Sequence, residues 1–407
     1  MPPLPEGRKG LRRGLALAAG GPLGGVYELG ALRALEESIE GLDLNDCRVY
    51  VGVSAGAFLA SHLANGFTVT QMLRGLLFGN EEDNPFDPSV LFLPAYREWA
   101  RRGAQLPGLI ADTLLQSSLS PRTQTLFRSL SQLGRALPLG VFDNAPIQAH
   151  LARIFARRGR TDDFRRLRHR LFVVATDLEA GTPVVFGSEG LDHVPISRAV
   201  QASTSLPGLY PPLKVEGRLC VDGVLLKTIH ASVAMENGAD LVFCVNPIVP
   251  VDVANDDAHR ILGPDALTRG GLPSVLSQAV RTLIHSRMVV GMARYKTTFP
   301  DSELILFRPD RKDYRLFFSN IFSFRSRRQV CEIGYKSTRK DLCRRRDTLG
   351  PMLEAHGMRL RLEVLDDRKR TVWDGIGGLP HKSSTVGRRL SATLESLEAV
   401  LEQAGKG

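Results

Sequence analysis

Three groups of residues in this chain have types and spacings suited to chemistry. Ser54 stands in Val51-Gly52-Val53-Ser54-Ala55-Gly56, after a β-branched run and before the helix-friendly Ala57-Phe58-Leu59-Ala60. A serine so placed sits on a sharp strand-to-helix turn, where Gly52 and Gly56 tolerate a strained backbone and leave room for a substrate carbonyl. The helix that follows presents partial positive charge where a tetrahedral oxyanion would form. The chemistry implied is acyl transfer with Ser54 as nucleophile. For the pentapeptide alone, a plain structural turn is the alternative.

The second group is Gly20-Gly21-Pro22-Leu23-Gly24-Gly25, which follows a first apolar run and opens a helix. Backbone N–H groups in such a loop can point at an anion. It lacks the Lys-Ser/Thr of a phosphate loop, and its spacing fits Gly-x-Gly-x-x-Gly poorly. Paired with a nucleophile turn one strand later, Gly20, Gly21, Gly24 and Gly25 read better as an oxyanion loop. Pro22 has no N–H, so the donors must come from its neighbours.

The third group is Cys220-Val221-Asp222-Gly223, an aspartate closing an apolar run. A free aspartate, with a pKa of roughly 3.9, is a poor base at neutral pH. Burial beside the serine would raise that value and suit Asp222 to accept the serine proton. An Asp-Gly hairpin turn is the competing reading. Histidine is the usual partner of a serine nucleophile. His62 lies two helical turns beyond Ser54 and is expected to point away from it. His193 falls in a loop, His230 in a helix-like run and His285 in an amphipathic stretch. A Ser54–Asp222 dyad needs none of them.

These groups require a frame of strands and helices. Strand-like runs occur at residues 14–19, 48–53, 171–176, 183–186, 218–221 and 241–245, with helical patterns at 25–39, 55–64, 196–202 and 230–237. That alternation predicts an α/β fold with a largely parallel sheet. Both the loop after Ala19 and the Ser54 turn then lie at carboxyl ends of strands, where open α/β sheets bind ligands. Residues 66–170 read as a helical, irregular insertion, with an apolar stretch at Phe86, Leu91, Phe92, Leu93, Pro94, Tyr96 and Trp99 followed by residues 106–115. Residues 252–264 read as a polar linker. Residues 272–295 read as a helix bearing Arg281, His285, Arg287 and Arg294, either lying on a membrane or packed with its basic face in water.

At 407 residues the chain can bury a large core, and its net charge of +10 favours anionic partners. A lipid headgroup layer suits it better than nucleic acid, since no zinc-ligand spacing or aromatic RNA-binding motif accompanies the charge. The five scattered cysteines fit neither a disulfide framework nor a zinc site, which points to a reducing compartment. No run of eighteen apolar residues is present, and the apolar segment after Arg12-Arg13 is too short for a signal peptide. The expectation is a cytoplasmic protein peripheral to a membrane.

In order along the chain, residues 20–30, 52–56 and 222–223, with Ala175-Thr176-Asp177-Leu178-Glu179-Ala180-Gly181 and Ala202-Ser203-Thr204-Ser205-Leu206-Pro207-Gly208-Leu209-Tyr210-Pro211-Pro212, resemble the patatin-like phospholipases. The resemblance covers about residues 15–247. It implies a three-layer α/β/α fold with a mostly parallel central sheet, a helical insertion and a C-terminal helical region. It also implies hydrolysis of fatty acyl esters, of phospholipase A or lysophospholipase type, by a Ser-Asp dyad needing no metal or cofactor. Ser54 matches the nucleophile and Asp222 the base. Residues 1–250 are then the catalytic domain and 251–407 a basic helical region. The chain departs from the family pattern in two places. Its loop has no Arg or Lys and one glycine fewer, and Asp222-Gly223 is followed by Val224. Backbone donors survive both changes, so activity is expected to survive them. A Ser-His-Asp esterase or thioesterase and a non-catalytic lipid-binding scaffold are the competing readings.

Overall fold

The six apolar runs all become strands of one eight-stranded sheet. The computed structural model describes residues 12–78, 93–104, 137–250, 252, 265–310 and 324–376. Its strands are β1 (Arg13–Leu17), β2 (Ile39–Glu40), β3 (Val49–Gly52), β4 (Arg170–Asp177), β5 (Thr182–Phe186), β6 (Leu213–Val215), β7 (Arg218–Asp222), β8 (Leu241–Val245), β9 (Glu303–Phe307) and β10 (Arg359–Leu360). The principal helices are α1 (Gly21–Ser38), α2 (Ala55–Ala64), α3 (Val69–Phe78), α4 (Tyr96–Gly103), α5 (Ala145–Phe155), α6 (Ile196–Ser203), α7 (Ala231–Glu236), α8 (Gly271–Thr298), α9 (Phe324–Arg344) and α10 (Arg346–Ala355).

The sheet order is β6-β7-β4-β3-β1-β8-β9, with β5 also on β4. The five strands from β4 to β9 run parallel, and β5, β6 and β7 are antiparallel additions at one end. Parallel strands are covered on both faces and so are apolar throughout. Ala16, Val49, Val51, Phe172, Val174, Val242 and Cys244 pack with α7 on one face. Leu15 and Leu17, turned to the other face by strand alternation, are fully buried as well. Register fixes the relative height of the two candidate catalytic residues. Gly52 is level with Val173 and Asp222 with Ala175, so Ser54, two residues past Gly52, rises to the level of Asp222 two strands away.

The glycine-rich segment differs from its expected form. It is not a loop ahead of a helix starting at Gly25, because α1 already begins at Gly21 with Pro22 in its first turn. Proline at that place costs no hydrogen bond and has its φ preset for helix. Four glycines in one helix oppose its stability, and at Gly30 the reason is a neighbour. A methyl there would lie 2.0 Å from the Cys331 carbonyl oxygen, and one at Gly334 would lie 2.2 Å from that of Tyr27. Helices α1 and α9 therefore cross backbone to backbone. Beside the crossing, the Tyr335 hydroxyl donates to the Glu37 carboxylate at 2.6 Å and Arg370 Nε donates to it at 2.9 Å, with Arg33 paired to it as well. The β10–β2 pair ties the segment after α10 to the end of α1.

The chain divides into two units, Met1–Val372 and Trp373–Gly407. The second is described only as a turn at residues 373–376. Phe86, Leu91, Phe92, residues 106–115 and most of the 252–264 segment lie outside the described residues.

Gly334→Val is expected to force α1 and α9 apart and destabilise the protein by about 3 kcal/mol. Gly350→Ala, on α10 with open space around it, should leave the melting temperature unchanged or slightly raised. Thermal melts of the two variants check this. Equal melting temperatures would show that the crossing does not need its glycines.

Candidate active site

Ser54 holds φ 54° and ψ −120°, one of three non-glycine residues with positive φ among those described. Such a backbone costs on the order of 1–3 kcal/mol and persists only where the surroundings dictate it. Three hydrogen bonds do so. Val53 N–H donates to the Leu17 carbonyl at 3.1 Å and Gly56 N–H to that of Ala18 at 3.1 Å, fastening both sides of the turn to β1. Ser54 N–H donates to Ser203 Oγ at 2.8 Å, and that hydroxyl donates to the Val174 carbonyl on β4 at 2.6 Å. The flanking glycines are required by proximity. A methyl at Gly56 would sit 2.4 Å from the Leu17 carbonyl, and one at Gly52 would sit 2.4 Å from Ala57 Cα.

Asp222 ends β7 and caps a 3-10 turn at Gly223–Leu225, with its Oδ1 accepting the Val224 N–H at 2.9 Å. Its own N–H donates to the Ser205 carbonyl, and Thr176 Oγ1 donates to its carbonyl oxygen. The side chain is 2% exposed. Burial raises its pKa to about 7, against the smaller opposing pulls of the Val224 N–H and of a hydrogen bond from the Ser54 hydroxyl. The structure thus joins the two residues and leaves the carboxylate basic enough to take a proton at neutral pH.

The four candidate oxyanion glycines are placed differently. Gly20 and Gly21 stand at the open N-terminus of α1 and line the cavity with Ser54. Gly21 has φ +60°, which favours glycine. Gly24 N–H is instead taken by the Gly20 carbonyl at 3.1 Å, and a methyl at Gly24 would meet Pro247. Gly25 also lines the cavity and faces α2, where a methyl would make only an ordinary contact with Ala55 Cβ at 3.5 Å. Two helix N-termini therefore converge beside Ser54, both favouring negative charge. Behind them the buried Glu28 carboxyl accepts the Ala18 N–H at 2.8 Å, and burial lifts its pKa well above the ordinary carboxylate range.

Ser54 and Asp222 open onto a cavity of about 570 Å³ walled mainly by apolar side chains such as Phe58, Met72, Ile154, Leu206 and Val224. His62, expected to point away, also lines it. Its Nδ1–H donates to the Phe58 carbonyl at 2.7 Å, and burial lowers its pKa to about 4. Burial does the same to His150, which meets Arg153, and to His230, whose Nε2 lies 3.5 Å from the Gly223 carbonyl. All three are neutral at pH 7, and none of the hydrogen bonds just given is to Ser54 or to the Asp222 side chain. Among the described residues, no group of three or more His, Cys, Asp or Glu side chains is placed to hold a metal.

Sequence reasoning did not assign Ser203 or Glu28. Ser203 lies within residues 202–212, but its link to the turn crosses 149 residues of chain. An ionisable residue ten positions past Ala18 in an otherwise apolar helix start was the available signal for Glu28.

Asp222 gives stability a calculable pH dependence. Below about pH 4 the group is protonated whether the chain is folded or unfolded. Between there and its folded value near 7 only the unfolded chain sheds the proton, so stability falls as pH rises. Asp222→Asn should therefore raise the melting temperature by several degrees at pH 8 and change it little at pH 4. A difference independent of pH would contradict the buried-carboxylate geometry.

A family model described as patatin-like phospholipase matches residues 15–235, more than half of the chain. Among solved structures, the chain is similar to VipD from Legionella pneumophila at 15% identity, covering 83% of this chain and 68% of that one, with a TM-score of 0.38. It is similar to the type III effector protein ExoU at 16% identity, covering 83% and 54%, with a TM-score of 0.32. It also matches full-length ExoU in complex with SpcU, from the type III secretion system of Pseudomonas aeruginosa, at 17% identity, covering 69% and 53%, with a TM-score of 0.28. The chain spans about half the length of the ExoU chains. On the strength of the match over residues 15–235, the chain belongs to the patatin-like phospholipases, a family of lipid acyl hydrolases.

Proposed function

We propose that this protein hydrolyses a fatty acyl ester of a phospholipid or related lipid through a Ser54–Asp222 dyad and an acyl-enzyme. The observation that carries the reading is a buried carboxylate, with its pKa near 7, hydrogen-bonded to a serine hydroxyl on a positive-φ turn at an apolar cavity. Ser54 Oγ attacks the acyl carbonyl carbon and its proton passes to Asp222. The carbonyl π electrons move to oxygen, where the Gly20 and Gly21 N–H groups and the α1 and α2 termini stabilise the charge. Collapse of that intermediate expels the alcohol, which takes the proton from Asp222. A water molecule, deprotonated by Asp222, then attacks the ester, and as that intermediate collapses Asp222 returns the proton to Ser54 Oγ and the fatty acid leaves.

The apolar walls suit an acyl chain. Arg281 and Arg327 also line the cavity and suit a lipid with an anionic headgroup. These two supply positive charge that the glycine-rich segment lacks.

Fatty acid release from mixed phospholipid vesicles tests the proposal. Ser54→Ala and Asp222→Asn are each expected to lower it at least about 10³-fold. His62→Gln, His150→Gln and His230→Gln should each stay within about tenfold of wild type. A histidine variant as inactive as Ser54→Ala would move the assignment to a Ser-His-Asp triad. Release unaffected by Ser54→Ala would remove Ser54 from the chemistry.

A further inference from the structure

We infer that α8 is a docking surface for an anionic lipid bilayer, seating the cavity mouth against the membrane from which substrate enters. The inference rests on the lipid hydrolase reading above and names the surface through which it would act.

Helix α8 runs for 28 residues without an aspartate or glutamate, while carrying Arg281, Arg287, Arg294 and Lys296. Its water-facing side is aliphatic. Leu272 is 69% exposed, Leu283 66% and Val290 68%, with Leu276 also exposed. Their spacing of 4, 7 and 7 residues keeps them on one face, and 18 residues of helix extend that face over about 27 Å. A soluble helix normally turns such a stripe inward. Here the opposite side supplies the packing, with Met288 buried and Ile284 and Tyr295 against the core.

The stripe is continuous with the site. Leu276 and Val280 are exposed and also line the cavity, as does Leu225 from beyond Asp222. On another wall, Leu209 accepts the Phe142 N–H at 2.9 Å, beside exposed Leu137, Leu139 and Val141. Tyr96 and Trp99 are exposed on neighbouring α4, where Trp99 Nε1–H reaches the Gly140 carbonyl at 3.4 Å. Amphipathic aromatic side chains of this kind favour a bilayer interface.

Charge selects the occupant. A second copy of the chain would bring the same cations against each other. An anionic headgroup layer pairs with them while its acyl region takes the leucines and valines. An acidic protein partner is the alternative outcome.

Co-sedimentation of the full chain with vesicles, run beside turnover of soluble p-nitrophenyl butyrate, tests this. Wild type should sediment with phosphatidylcholine vesicles containing phosphatidylglycerol and much less with phosphatidylcholine alone. Leu272→Asp/Leu283→Asp should weaken binding at least about tenfold, as should Arg294→Glu/Lys296→Glu, each keeping wild-type turnover of the soluble ester. Wild type that binds neither vesicle overturns the inference and leaves the face to a protein partner. Binding unchanged in both double variants overturns it too, and the second pair decides the matter if the first fails to fold. Wild type that binds vesicles through these residues but turns over no ester supports the surface and contradicts the hydrolase reading instead.

Discussion

The site depends on holding one serine in a backbone conformation that serine disfavours. Ser54 is kept at positive φ because the chain on either side is fastened to β1, by Val53 to Leu17 and by Gly56 to Ala18, while its own N–H is held from β4 through Ser203. The same few atoms also set the neighbouring parts. The Ala18 carbonyl receives Gly56, and the Ala18 N–H is shared between the Val245 carbonyl and Glu28 of α1. The turn, the end of the sheet and the start of α1 therefore move as one body. That rigidity allows N–H groups on α1 to stand at a fixed place relative to a hydroxyl on a different strand. The α1–α9 crossing extends the support outward, since α9 can press on α1 only where Gly30 and Gly334 let the backbones touch.

Electrostatics complete the arrangement by what surrounds Asp222. Burial opposes its charge, and the bonds from Val224 and Ser54 offset that only in part, which leaves the group near neutrality in pKa. An arginine beside it would have made it a permanent anion and a weak base. The nearby histidines are buried and held neutral, so they add no charge to the pocket. The N-termini of α1 and α2 lie beside Ser54, and a helix N-terminus favours negative charge.

Much of this was legible in the sequence because the relevant elements are dictated locally. Strands β1, β3, β4 and β8 are buried on both faces and read as continuous apolar runs, and the Gly-x-Ser-x-Gly turn can be built in few ways. Long-range elements were harder. Strand β9, Glu303-Leu304-Ile305-Leu306-Phe307, has only four apolar residues, and so short a run does not distinguish strand from buried helix. In α9 the basic residues mask a buried stripe at Cys331, Tyr335, Thr338 and Leu342, whose spacing of 4, 3 and 4 residues was the available signal. The early start of α1 was hidden for a related reason, since a run of glycines reads as loop, yet the Gly24 N–H already bonds the Gly20 carbonyl within the first turn.

The most direct test of the dyad is the rate at which a fluorophosphonate labels the protein between pH 5 and 9, with the modified residue located by mass spectrometry. The expected result is a single adduct on Ser54, formed at a rate that rises through one ionisation near pH 7 and reaches a plateau. In Asp222→Asn the rate should be very low and without that rise. An adduct elsewhere, or a rise that survives in Asp222→Asn, would contradict the assignment of Asp222 as the base for Ser54.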